Sequence, residues 1–137
     1  MGESKMKITA DTNVLVRAAV QDEPHQGRQA AKVLQQADLV AVPLTVLCEL
    51  VWVLRRGYKK SVSDVGGAIH QLMKSANVVT NRPGVEAGLL SLRHGGDFAD
   101  GVIAYEGSWL GGEEFVSFDS KAVSILQAHG TRARLLQ

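Results

Sequence analysis

Short apolar runs rich in β-branched residues alternate with longer runs of helical spacing from one end of the chain to the other. "MKITA" (6–10) precedes "DTNVLVRAAV", and "LVAV" (39–42) precedes a helical stretch that opens at Pro43 and runs to about Arg56. "NVVT" (77–80) precedes a stretch entered through Pro83, "EFVSF" (114–118) precedes "DSKAVSILQAHG", and "RARLL" closes the chain. No Asn-Gly or Asp-Gly turn directly joins two of the strand candidates, so hairpins are not indicated. Strands separated by helices need crossovers, and crossovers make parallel pairs. The pattern therefore predicts an α/β fold in three layers, a central parallel sheet of four or five strands with helices on both faces.

Local punctuation agrees with this reading. Pro24 stands at a first helical position, ahead of a face made by Ala30, Val33, Leu34 and Ala37. Ser61 with Asp64 three residues on marks another helix start, continuing to about Ala76. Gly57 and Gly130 are suited to helix ends. "FADGVIAYEGSWLGG" is helical in its first half and stops at Gly111–Gly112. A chain of 137 residues holds one compact domain with a real core, expected over residues 6–137. Residues 1–5 are set aside as an N-terminal extension or expression remnant, since Met6 also makes a sensible start.

Composition excludes several classes. Hydrophobic residues at 45% and charged residues at 21% describe a globular chain. The net charge of +1 offers no global basic field, so a nucleic-acid partner would need local patches. A single cysteine, Cys48, precludes an internal disulfide and reads as a small buried hydrophobe. Neither C-x-x-C nor H-x-x-x-H occurs, which argues against a zinc site. No apolar run reaches the roughly 20 residues that span a bilayer, and no signal-peptide core is evident, so the expected compartment is the cytoplasm.

One carboxylate stands out. In "LVAVPLTVLCELVWVL" (39–54) Glu49 is the only formally charged residue. A buried carboxylate without partners costs several kcal/mol, so a basic partner, solvent at the end of a cleft, or a metal ion is expected beside it. Four other acids have suggestive places. Asp11 and Asp119 each directly follow a strand candidate, where parallel α/β sheets collect ligands, while Asp97 and Asp100 flank a helix start. Each alone has a plainer role, since aspartate caps helices well and favours first turns. The set is harder to explain that way. Oxygen ligands suit Mg²⁺ or Mn²⁺.

The segments "ITADTNVLVR", "VLCELVWVL", "DFADGVIA" and "VSFDSKA", in this order, resemble the PIN domain, specifically the ribonuclease toxins of VapBC toxin–antitoxin pairs, from about Met6 to the C-terminus. The resemblance implies a PIN-like fold and an acidic Mg²⁺ (or Mn²⁺) site of Asp11, Glu49, Asp100 and Asp119 converging in one cleft. Asp97 is an additional acid beside it, and Thr12 and Asn13 are supporting residues. It further implies metal-dependent hydrolysis of RNA, with tRNA or another structured RNA as candidate target, together with a homodimer and inhibition by a cognate VapB-type antitoxin.

Arg17, Arg55 and Arg56 are the candidate RNA-backbone contacts, with Lys59, Lys60 and Arg93 as further basic residues. Trp52 and Trp109 read as core or subunit-interface residues, and His25, His70, His94 and His129 as surface or helix-end residues. A haloacid-dehalogenase phosphatase would need D-x-D after the first strand, where Asn13 stands instead. A receiver domain would need paired acids at the first strand and a lysine after the last. The alternative from another class is a catalytically inactive PIN-like module that binds RNA or protein.

Overall fold

The computed structural model describes residues 6–137, and the extension proposed for residues 1–5 lies outside the described residues. The chain gathers into two compact units, one ending at Thr80 and the other spanning Asn81–Gln137.

In the first unit the elements are β1 (Lys7–Thr9), α1 (Thr12–Val20), α2 (Pro24–Gln36), β2 (Leu39–Ala41), α3 (Leu44–Trp52), a π-helical turn (Val53–Gly57), α4 (Val62–Lys74) and β3 (Val78–Val79). The strands pair in parallel in the order β1-β2-β3, with Ile8 opposite Val40 and Val40 opposite Val78. Bonds from Val40 N–H to the Asn77 carbonyl (2.8 Å) and from Val42 N–H to the Val79 carbonyl (2.9 Å) extend the ladder. Central β2 carries the apolar side chains such a position demands: Val40 and Val42 are buried, as are Leu47, Val65 and Ile69 from the helices. Each such side chain contributes roughly 1.5–3 kcal/mol by leaving water.

Helix starts follow the sequence signals. Pro24 takes the first helical position of α2, and Glu23 accepts from the His25 and Gln26 amides at 3.0 and 3.1 Å. Ser61 caps α4 through the Asp64 amide at 3.0 Å. The α2 stripe is narrower than expected, because Val33 is exposed while Gly27 and Ala30 are the buried positions. The helix expected through Arg56 changes winding at Val53. There the Tyr58 amide bonds to the Val53 carbonyl at 3.1 Å, five residues back.

The second unit comprises α5 (Arg82–Arg93), α6 (Phe98–Trp109), β4 (Phe115–Ser117), α7 (Ser120–Ala128) and β5 (Ala133–Leu135). α6 is helical throughout, not in its first half alone. β4 and β5 pair in parallel, Val116 opposite Arg134. Val123, Leu126 and Ala133 form an apolar cluster with Ala104, Phe115 and Leu135 against it. α5 and α6 approach closely at small residues: a methyl on Gly88 would lie 2.6 Å from the Phe98 ring, and one on Gly101 would overlap the Ala87 carbonyl oxygen. Both α5 and α7 end in the same motif. Gly95 (φ +90°) and Gly130 (φ +88°) adopt the left-handed conformation. The Gly96 and Thr131 amides reach back five residues to the Ser91 and Leu126 carbonyls, each at 2.9 Å.

The five strands thus form a three-stranded and a two-stranded parallel sheet, not one sheet of four or five. Each strand is only two or three residues long, so each ladder holds few bonds and closes within its own unit.

Candidate active site

In the first unit, β1 delivers Asp11 to the N-cap of α1. Its Oδ1 accepts from the adjacent Thr12 amide at 2.8 Å, where a full cap would reach one or two residues further along. The capping role is therefore slight, and the carboxylate stands exposed. Thr12 turns its hydroxyl the other way and donates to Glu49 Oε1 at 2.7 Å across 37 residues of sequence. The start of α1 and the middle of α3 are tied by this bond, which fixes Glu49 beside the strand-end acid. Asn13 is exposed next to them.

Glu49 is exposed, so the desolvation expected for it does not arise. Thr45, Glu49, Trp52 and Arg56 are all exposed, and their spacing of four, three and four residues lines one helical face. The apolar run is buried on its remaining sides only. Trp52 is 62% and Trp109 75% exposed, so neither is a core residue. Cys48 is half-buried.

Arg17 is held in a network. Its Nε donates to Gln26 Oε1 at 2.8 Å, its Nη1 to Asp22 Oδ1 and to the Tyr58 hydroxyl at 3.3 Å each, and Tyr58 donates to Asp22 Oδ2 at 2.9 Å. Sequence reasoning did not single out Asp22, Gln26 or Tyr58. Their partnership depends on the π-helical turn that sets Tyr58, which carries no clear sequence signal. Arg55 Nη1 donates to the Lys60 carbonyl at 2.9 Å, and Arg56 is exposed.

In the second unit, Asp97 stands at the N-cap of α6 and makes no side-chain capping bond. Asp100 lies in the first turn, half-buried, with its amide bonded to the Asp97 carbonyl at 3.1 Å. Burial pushes the Asp100 carboxyl above the usual aspartate range, repulsion from Asp97 and then Asp119 adds to this, and a backbone bond from Asp97 partly offsets it. Asp119 follows β4 and caps α7, its Oδ1 accepting from the Lys121 and Ala122 amides at 3.0 and 3.1 Å. Its own amide donates to Ser117 Oγ at 3.0 Å, a positioning contact that sequence reasoning missed although the S-x-D spacing was visible.

The structure thus joins Asp11, Thr12 and Glu49 in one unit and couples Asp97, Asp100 and Asp119 electrostatically in the other. Among the described residues, within neither unit do three His, Cys, Asp or Glu side chains gather closely enough to hold a metal ion by themselves. The chemistry of the donors nonetheless fits a hard divalent cation: all are carboxylates, and Asp100 is held in a field of like charge that such an ion relieves. A separate groove of about 540 Å³ is lined by Leu90, Ile103, Val116, Ile125, His129 and Arg132, among others. It contains none of these acids and is not the candidate site.

Parallel strands ending in carboxylates, with acids crowded at a helix start, define a protein built to manage phosphate esters with divalent cations. The PIN domain model matches residues 8–122, a span that includes Asp11, Glu49, Asp97, Asp100 and Asp119. The chain belongs to the PIN domain family, whose members are typically metal-dependent nucleases that bind nucleic acid. No individual curated protein matches it. No helix among the described residues is long and apolar enough to cross a membrane.

Proposed function

We propose that this PIN domain is a Mg²⁺- or Mn²⁺-dependent endoribonuclease of the VapC type, the toxin of a VapBC pair. In this reading it acts in the cytoplasm as a homodimer and is silenced by a VapB-type antitoxin. Asp11, Glu49, Asp100 and Asp119 would hold the cation, with Asp97 beside them. The observation that carries the reading is Asp100, half-buried and raised by two neighbouring aspartates, an arrangement that costs stability unless a cation or proton joins it. When bound, the cation supplies Lewis acidity toward the scissile phosphate and its attacking water.

The protein's own contributions are positional. The Thr12 hydroxyl aims Glu49, and the amide ends of α7 fix Asp119 Oδ1. The raised Asp100 carboxylate is the most ready of the set to take up a proton while no cation is bound. Arg56, exposed and adjacent to the bonded Arg55, is the freer candidate for the RNA backbone, while Arg17 contributes through its network. Single domains in this family bind nucleic acid, so an inactive binding module remains the competing reading.

The two are separated by incubating the protein with structured RNA, tRNA included, in Mn²⁺ or Mg²⁺ and in EDTA. Cleavage that requires the cation and collapses in Asp11→Asn and Asp100→Asn supports the enzyme. Full activity in both variants, or RNA binding with no cleavage under any cation, overturns it.

A further inference from the structure

We infer that His94 and His129 form a two-imidazole site for a divalent transition-metal ion of the cobalt-to-zinc series, ligated through both Nε2 atoms and separate from the acidic residues. The two histidines occupy identical positions. Each is the C-cap of its helix, each is followed by a left-handed glycine, and each helix closes with the same pair of reverse bonds. This repetition presents both rings in the same way. His94 Nδ1 lies 2.8 Å from the Leu90 carbonyl and His129 Nδ1 lies 2.9 Å from the Ile125 carbonyl, four residues back in each case.

A carbonyl oxygen only accepts, so in both rings Nδ1 carries the hydrogen. The neutral ring then has its lone pair on Nε2. This is the tautomer of metal-ligating histidines, whose other nitrogen donates to a carbonyl or carboxylate and fixes the ring. Two such rings stand with centroids 4.2 Å apart and tilted by 57°, close enough to share one ion at the usual nitrogen–metal distance of about 2 Å. Both residues are exposed, so an ion can reach them.

Among the described residues no third ligand completes the set, which leaves the other positions to water. Imidazole suits cobalt, nickel, copper and zinc and discriminates against Mg²⁺. An adverse charge is nearby, since Lys121 Nζ would lie 3.7 Å from a methyl built on Gly95. Its flexible, exposed stem lets the ammonium move aside. Occupation would tie the end of α5 to the end of α7, and α5 leads through Gly95–Gly96 directly to Asp97.

The test uses the full chain in chelator-treated buffer with excess Mg²⁺ to satisfy the carboxylates, titrated with Zn²⁺. Long-range ¹⁵N spectra of the imidazoles are recorded alongside calorimetry with Co²⁺, Ni²⁺ and Zn²⁺. We expect Nδ1–H tautomers for both histidines before addition, and Nε2 signals that shift together and saturate at one ion per chain. Affinity should rise from Co²⁺ to Ni²⁺. His94→Asn and His129→Asn, chosen because asparagine also ends helices well, should each lose at least about tenfold in affinity, while His25→Ala should not. Nε2–H tautomers, Nε2 signals unmoved by Zn²⁺, or unchanged affinity in the asparagine variants would overturn the inference. The wild-type spectra decide the matter even if a variant unfolds.

Discussion

Gly101→Ala adds one methyl where the structure has no room for it. The new carbon would lie 2.7 Å from the Ala87 carbonyl carbon and 2.9 Å from Ser91 Oγ, besides overlapping the Ala87 carbonyl oxygen. Carbon–carbon contacts settle at about 3.5–4.0 Å, so α5 and α6 must part by about 1 Å. The atoms met are main chain, and no rotamer change relieves them. Overpacking of this kind costs about 1–3 kcal/mol, against a gain of up to about 1 kcal/mol from replacing glycine inside a helix. A net loss of about 1–2 kcal/mol is expected, read as a lower urea midpoint by circular dichroism. Gly67→Ala is the control, because nothing lies within 4 Å of its added methyl, and it should gain about 0.5–1 kcal/mol. Equal or greater stability of Gly101→Ala relative to wild type would refute the close-packing argument.

Asp100→Asn tests the charge crowding in the cation-free protein. The folded carboxyl is raised above its unfolded value of 3.8, so the folded state binds the proton more tightly, and wild-type stability falls as pH rises from about 4 through the raised folded value. The asparagine variant should therefore be the more stable at neutral pH, by no more than about 1 kcal/mol once solvent screening is allowed for. That advantage should shrink toward acid pH in melts recorded with EDTA, and a constant difference would contradict the assignment. Thr12→Val removes the hydroxyl that aims Glu49. It should cost no more than about 1 kcal/mol of stability while lowering the RNA cleavage rate at unchanged RNA affinity, and an unchanged rate would remove Glu49 orientation from the reading.

Helix boundaries were legible because their signals are local. Ser61 with Asp64, Pro24 behind Glu23, and Gly130 after His129 each act within one turn of chain. The sheet was less legible. Strand candidates are visible as apolar runs, but which ladders join depends on bonds between distant segments, and strands this short hold few of them. The acids were found by position relative to strands, and Asp11 and Asp119 do follow β1 and β4 at helix caps. The environment of Glu49 was misjudged because hydropathy along a run does not show which face meets solvent. One exposed stripe through Thr45, Glu49, Trp52 and Arg56 suffices to solvate the carboxylate. Neither the widened turn after Trp52 nor the fit of Gly101 against Ala87 announces itself in sequence, since both depend on what lies opposite.

The π-helical turn at Val53–Gly57 is, in terms of length, an α-helix carrying one residue too many. Shortening a helix by one residue ordinarily throws everything beyond the deletion out of phase. In this chain the loss of either Arg55 or Arg56 would restore ordinary winding and swing the following residue round the axis by about 100°. Tyr58 would then be turned away from Asp22 and Arg17. The surplus residue is thus what gives the arginine its phenolic neighbour, so a length polymorphism at this point would be tolerated by the helix and registered by the α1–α2 corner.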